Sequence, residues 1–404
     1  MKENNSQDFK PIKGILISSG CLGLYDNTRN DISLISLETD ATVCGYFTQN
    51  IYRSATVVIS ENNIKENPPK YIIVNAGNAN ACTGYEGELD IKKYCQKISE
   101  LTNIKENLIC PLSTGVIGER IDAERFKKII PLLLDSLSIN NYTKFSKSIM
   151  TTDTYNKLCS SSFHCKNGEE IIINGVAKGS GMIFPKMATT LGFFFTNLRI
   201  SKKSLDEICT KYLDESFNSI TVDGETSTND SLLVISSNTS NIEYENLNNE
   251  DKIKFQNTLR NSMIYLAKEV VRDGEGASKF ITINVQGLKN TQDAKKAAFC
   301  IANSNLVKTA LFAEDPNWGR VVSALGNSNI SYIDCKDLNL KINNLAVFEN
   351  NSISDQYDEE AVKRSMKDKN IEISLIFSHG KSNATVWTSD LTYNYVKINA
   401  EYRS

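Results

Sequence analysis

The sequence predicts a mixed α and β fold in which sheets are layered under helices. Short β-rich runs alternate with long amphipathic helical patterns along the 404 residues. Tyr71 to Asn75 is a continuous apolar run that reads as a buried strand, and Leu191 to Asn197 is a β-rich run that opens on the apolar stretch Leu191 to Phe195. At 40% hydrophobic and 23% charged residues, the composition is that of a globular chain of two or three domains, or one large one.

Taken in order, Gly14 to Ser19, Ile32 to Leu37, Ala41 to Phe47 and Ala55 to Ser60 read as short strands rich in β-branched residues. The run at Tyr71 ends in the tight turn Ala76-Gly77-Asn78-Ala79-Asn80. Helical spacing covers Asp90 to Leu101 and Asp122 to Leu137, with Asp122 at the N-cap. Ser161 to Lys178 is a strand pair turning at Lys166-Asn167-Gly168. Helices follow at Ser204 to Phe217, Asp251 to Arg272 and Asp293 to Asn303, with strands at Ser231 to Ser236 and Phe280 to Val285. The C-terminal part adds strands at Leu338 to Ile342, Ile371 to Phe377 and Thr385 to Thr388, and a helix at Asp358 to Lys367. The boundary between a core, 1–286, and a smaller domain, 287–404, is drawn in the stretch Gly287 to Thr291.

A net charge of -3 predicts no broad basic surface and therefore no nucleic-acid partner. No apolar run has the length of a membrane span, and Met1 to Lys10 lacks the apolar core of a signal peptide, so a cytoplasmic protein without a membrane partner is expected. The ten cysteines show no Cys-x-x-Cys spacing and read as reduced, mostly buried thiols. The two histidines, His164 and His379, lie in no motif. That argues against a Ser-His-Asp or Cys-His mechanism and against a His-ligated metal. The base of an enzyme built this way must come from elsewhere, and a free α-amino group is one source.

Such a group arises if the chain breaks between Ala188 and Thr189. The segment Val176 to Leu191 carries Gly179 and Gly181, then Pro185, then a small residue before the threonine. Attack of the Thr189 hydroxyl on the Ala188 carbonyl would turn peptide into ester, and water would free a threonine whose amine sits beside its own hydroxyl. On residues alone, a Gly/Pro turn entering a strand explains the same letters. Pro111 to Gly118 reads as a turn in which Thr114 and Gly115 aim a hydroxyl and an N–H at one point, as an oxyanion needs; a strand-to-helix turn is the plainer account. Ile149 to Thr154 groups three hydroxyls around Asp153, as a polar ligand site or as helix caps. Arg272 to Lys279 is a ligand loop bearing Glu275, or a solvated helix end. Trp318, in Ala313 to Arg320, fits a packed core position.

With these segments in view, the chain resembles the bifunctional glutamate N-acetyltransferase / ornithine acetyltransferase family of arginine biosynthesis. The matching pieces are Val74 to Gly84, Ser113 to Gly118, Ile149 to Thr154, Lys178 to Ile183 with Met187-Ala188-Thr189, Asp273 to Ala277, Asp315 to Arg320 and Asn399 to Ser404, in the family's order. The resemblance implies a layered αββα core with a smaller C-terminal α/β domain. It implies self-cleavage into an α chain, 1–188, and a β chain from 189, assembled as an α2β2 heterotetramer. Thr189 would carry an acetyl group from N2-acetylornithine to glutamate. Thr114 and Gly115 would form the oxyanion hole, and Thr152, Lys178, Thr189, Glu275, Asn399 and Ser404 would contact substrate. No metal or organic cofactor is implied, and acetyl-CoA stays open as a second donor. The chain departs from the family at Phe184, Lys186 and Thr190, where Ala, Asn and Met are usual. Of the adjacent threonines, the spacing from Lys178 favours Thr189 as the new N-terminus. Self-cleaving aminopeptidases of related fold are the alternative; they mature at Ser, so Thr189 favours transfer over hydrolysis. An uncut, non-enzymatic binding protein is the remaining alternative.

Overall fold

The computed structural model describes residues 9–25, 28–38, 40–184, 190–349 and 351–401. They gather into two compact units. The first draws on Met1–Gly179, Lys186–Asn218 and Thr226–Val270, the second on Ser180–Pro185, Ser219–Glu225 and Val271–Ser404.

Two sheets make the body of the first unit. One runs in the order Ile15–Gly20, Ile32–Leu37, Tyr71–Asn78, Ile109–Val116; the other in the order Thr42–Phe47, Ser231–Ser236, Leu191–Thr196, Glu170–Lys178, Lys157–His164. Their facing sides share one core, to which Ile17, Ile35, Ile72 and Leu112 contribute from the first sheet and Val43, Val176, Phe193, Phe195 and Leu233 from the second. The outer face of the four-stranded sheet presents Ile32, Leu34, Ile73 and Ile109. These pack on the helices Gly84–Thr102 and Ala123–Asp135 through Tyr94, Ile98, Phe126 and Ile130.

The outer face of the five-stranded sheet is covered in turn. Leu266 of the helix Asn249–Arg272 reaches Gly175 and Phe194 packs edge-on against Phe217, while Tyr46 bonds Asp206 of the helix Lys202–Asp214. The unit is therefore layered helix, sheet, sheet, helix. This is why Leu191–Thr196 is buried throughout: Phe193 and Phe195 point into the shared core and Phe194 to the helices. Full burial of each such side chain contributes about 1.5–3 kcal/mol.

The second unit holds a six-stranded sheet in the order Ser352–Ile353, Leu345–Glu349, Asn339–Ile342, Asn370–Ile376, Phe280–Leu288, Ser382–Ser389. Its core joins Ile281, Ile283, Ile373 and Val386 to Ala294, Ala298 and Ile301 of the helix Thr291–Ala302. The sequence boundary at 286/287 cuts the strand Phe280–Leu288. That strand pairs with Asn370–Ile376 on one edge and Ser382–Ser389 on the other, so it cannot be divided between domains. The compact unit begins at Val271 and also takes in two earlier short segments.

Several elements match their sequence patterns closely. Asp122 caps Ala123–Asp135 by accepting from the Glu124 and Arg125 N–H groups, and Ser201 caps Lys202–Asp214. One expected strand is a helix: Ala55–Glu66 replaces the strand at Ala55 to Ser60. Ser54 caps it by accepting from the Val57 N–H, and Val57, Ser60 and Ile64 form a buried stripe at helical spacing. The β-branched residues there misled because burial decides more than propensity. Among the described residues no helix is long and apolar enough to cross a membrane.

Candidate active site

In the first unit, the strand Glu170–Lys178 ends at Lys178, opposite Leu191 of the neighbouring strand. On its other side, Ala177 pairs with Lys157. This register brings the segment Thr151 to Asp153 against the strand end. Asp153, whose side chain is fully buried, accepts from Lys157 Nζ at 2.6 Å, from the Gly179 N–H at 2.7 Å and from the Thr151 N–H at 3.0 Å. Lys178 Nζ donates to Thr151 Oγ1 at 3.2 Å. Burial alone would raise the Asp153 carboxyl, but Lys157, Lys178 and the Gly179 N–H outweigh it and hold it below the usual carboxylate range. Asp153 is thus an ionised pin for the Lys178 end of the strand, and Thr152 sits half-buried between its two bonded neighbours.

Thr114 and Gly115 lie at the C-terminal end of the strand Ile109–Val116. The expected turn at Pro111 to Gly118 is therefore strand as far as Val116, because Tyr71–Asn78 pairs with it in parallel. The irregularity comes at its end, where Asn78 faces both Thr114 and Val116. Gly115 has φ +133°, and a Cβ there would fall 2.3 Å from the Gly77 carbonyl carbon. Only glycine fits. A web of buried polar groups fixes the strand beneath: Thr56 Oγ1 lies 2.8 Å from Ser113 Oγ, and Asn229 Nδ2 donates to Ala79 O at 2.7 Å and to Ser113 O at 2.9 Å. Asn229 was not singled out from sequence. Its only signal is the polar run Thr228-Asn229-Asp230 directly before an apolar strand.

In the second unit, Asn399 Nδ2 donates to Glu275 Oε2 at 2.8 Å, joining two residues 124 positions apart. Glu275 is buried, not a solvated helix end. Its N–H donates to Ser180 O at 3.1 Å. Asp223 accepts from the N–H groups of Met182 and Ile183 and from the Tyr395 hydroxyl. Burial, then Asp223 and Glu275, push the Tyr395 hydroxyl well above its ordinary value, so it stays a neutral donor. The fifth sequence segment is structural: Asn317 caps the helix Trp318–Gly326, and Trp318 packs against Phe348.

Residues 17–404 match the ArgJ family. The chain belongs to the ArgJ family. It is 36% identical to the arginine biosynthesis bifunctional protein ArgJ of Psychrobacter arcticus over 98% of this chain and 97% of that one. The ArgJ protein of Colwellia psychrerythraea is 38% identical over the same shares. A crystal structure of the Bacillus halodurans arginine biosynthesis bifunctional protein is 35% identical, covers 53% of this chain and 100% of that chain, and superposes with a TM-score of 0.50.

The ArgJ resemblance read from sequence therefore holds, as does the mixed, layered fold. Among the residues expected to form the ArgJ site, the structure joins Lys178 to the Thr151–Asp153 segment and Glu275 to Asn399, and sets Thr114 and Gly115 at one strand end. Ala188, Thr189 and Ser404 lie outside the described residues. Thr190, directly after them, is buried; its carbonyl accepts from the Ser231 N–H at 3.0 Å. Cys44, Cys95, Cys110, Cys159, Cys165 and Cys209 are buried and unbridged, whereas Cys82 is exposed. Among the described residues no group of three His, Cys, Asp or Glu side chains is arranged to hold a metal ion.

Proposed function

We propose that this ArgJ chain cuts itself between Ala188 and Thr189 and then moves an acetyl group from N2-acetylornithine to glutamate through an acetyl-Thr189 ester. The observation that carries the site is the register of Lys178 opposite Leu191, which brings the strand following Thr189 alongside the Lys178, Thr151 and Asp153 cluster.

In the first half-reaction, the Thr189 hydroxyl oxygen attacks the acetyl carbonyl of N2-acetylornithine. Its α-amino group takes the hydroxyl proton and passes it to the departing ornithine nitrogen. In the second half, the glutamate amine attacks the ester, the proton returns to Thr189 Oγ1, and N-acetylglutamate leaves. Each tetrahedral intermediate carries an oxyanion, which Thr114 and Gly115 would stabilise. Lys178 would pair with the α-carboxylate common to both substrates. Glu275, oriented by Asn399, would take the ornithine ammonium, with Thr152 and Ser404 completing the contacts. Two cut chains of each kind would form an α2β2 assembly in the cytoplasm.

Incubation with N2-acetylornithine, with and without glutamate, tests the reaction. Ornithine release should require glutamate in turnover; release that ignores it would identify a hydrolase. A parallel arm with acetyl-CoA decides whether that donor serves. Denaturing mass analysis should show two fragments in place of the 45.0 kDa chain, and Thr189→Ala should stay whole.

A further inference from the structure

The segment Ser180 to Phe184 ends four residues before the expected cut, and it is fastened within the second unit along its length. Ser180 Oγ donates to Asp273 O, and Ser180 O accepts from the Glu275 N–H. Met182 N–H donates to Asp223 Oδ2 at 2.6 Å and Ile183 N–H to Asp223 Oδ1 at 2.9 Å. Ile183 O accepts from the Val222 N–H at 2.9 Å and lies 2.9 Å from Thr221 Oγ1. The Phe184 ring packs edge-on against Phe299, which gives the bulky residue at this position a seat.

Asp223 is the centre of this fastening. Two successive N–H groups converge on the two oxygens of one carboxylate, as a backbone nest holds an anion. Met182 has φ 58°, a left-handed conformation that a non-glycine residue rarely adopts unaided. The same carboxylate accepts from the Tyr395 hydroxyl at 3.3 Å. An asparagine would offer one acceptor oxygen where two N–H groups point.

We infer that Asp223 is a positioning residue for self-cleavage, holding Met182 in its left-handed turn so that the chain approaches the Ala188–Thr189 bond in one direction. This rests on the reading that the chain cuts itself. Peptide-to-ester attack needs the hydroxyl within reach of one carbonyl, so a wandering lead-in segment lowers the reactive population. Among the described residues Asp223 bonds the Met182 and Ile183 N–H groups and the Tyr395 hydroxyl, and the proposed acetyl-transfer steps give it no part. Its partners within the segment lie before residue 189 and Asp223 itself after it, so the same bonds tie the two fragments together once the cut is made.

The test follows cutting of the full chain over time by denaturing mass analysis in the wild type, Asp223→Ala, Asp223→Asn and the double variant Asp223→Ala with Met182→Gly. Asp223→Ala should slow the cut by on the order of a hundredfold. The double variant should regain part of that loss, because glycine enters the left-handed region freely. A general packing defect would not be rescued by adding a glycine. A single variant that cuts at the wild-type rate, or a double variant no faster than Asp223→Ala, overturns the inference. If Asp223→Ala fails to fold, Asp223→Asn carries the comparison, and wild-type cutting there overturns it equally. A wild-type chain that never cuts defeats the proposed function instead.

Discussion

The Glu275 carboxylate occupies the space where a side chain on Gly181 would begin. A Cβ on Gly181 would fall 2.4 Å from each carboxylate oxygen and 2.3 Å from Cδ. The glycine-rich sequence before Thr189 is thus a clearance for a buried acid as well as a turn. Gly181→Ala should push the carboxylate aside and raise the KM for N2-acetylornithine about tenfold, equivalent to about 1.4 kcal/mol. Steady-state kinetics on the donor checks this; an unchanged KM would separate Glu275 from donor binding.

Gly115 is confined more severely, by backbone. With φ +133° and the Gly77 carbonyl carbon 2.3 Å from any Cβ, Gly115→Ala must move the strand end. The transfer rate should fall by on the order of 10²–10³, the loss expected when an oxyanion donor is misplaced. Single-turnover acetylation of Thr189 measures it. A variant within about twofold of the wild type would remove Gly115 from the oxyanion hole.

Asp153 and Lys157 form an ion pair whose side chains are both fully buried. Asp153→Ala takes the counter-charge from a buried ammonium and should cost about 3–5 kcal/mol. The folded carboxyl is depressed, so its stabilisation is present above the unfolded value near ~3.9 and is lost as pH falls through the lower folded value. Denaturant midpoints should therefore drop with acid below about pH 4 more steeply in the wild type than in Asp153→Asn. Equal acid slopes would contradict the assignment.

Lys308 gives a slope of the same sign in the alkaline range, because its folded value is also lowered. Burial lowers its ammonium to about 8, against the pull of Asp390 and Asp223, and Nζ donates to Thr388 Oγ1 at 3.0 Å. Below the folded value both states are protonated and the penalty is constant. Between about 8 and the unfolded value near ~10.4 the unfolded chain holds the extra proton, so this group makes stability rise with pH. The rise is on the order of 3 kcal/mol. It should appear as a difference in slope between wild type and Lys308→Met; parallel curves would refute it.

Thr190 buries its hydroxyl with no hydrogen-bond partner among the described residues. Thr190→Val removes that atom and keeps the shape, so it should raise stability by about 1 kcal/mol. A lower melting temperature would show that the hydroxyl is engaged beside Thr189.

Chemistry was the legible part of this chain. Asp153 and Glu275 each stood in a short segment whose residue types suggested a polar site, Lys178 and Asn399 entered as substrate contacts through the family resemblance, and the scarcity of histidine pointed to another base. The supporting groups were not legible. Asp223 and Asn229 act through backbone N–H and C=O groups brought from distant segments, and such partners leave no local pattern. Ala55–Glu66 was misread for a related reason: its β-branched residues favour a strand locally, while the stripe that it buries depends on neighbours supplied by the sheets.

The sequence by itself determined the layered mixture of sheet and helix, the capped helix ends and the cast of candidate groups, because periodicity, capping and residue chemistry are local properties. Tertiary structure alone decided which of those groups meet. Strand register sets Lys178 beside Thr151, and the return of the chain after 124 positions brings Asn399 to Glu275. Both depend on long-range pairing and close packing, whose energies are set by partners that no local window of sequence contains.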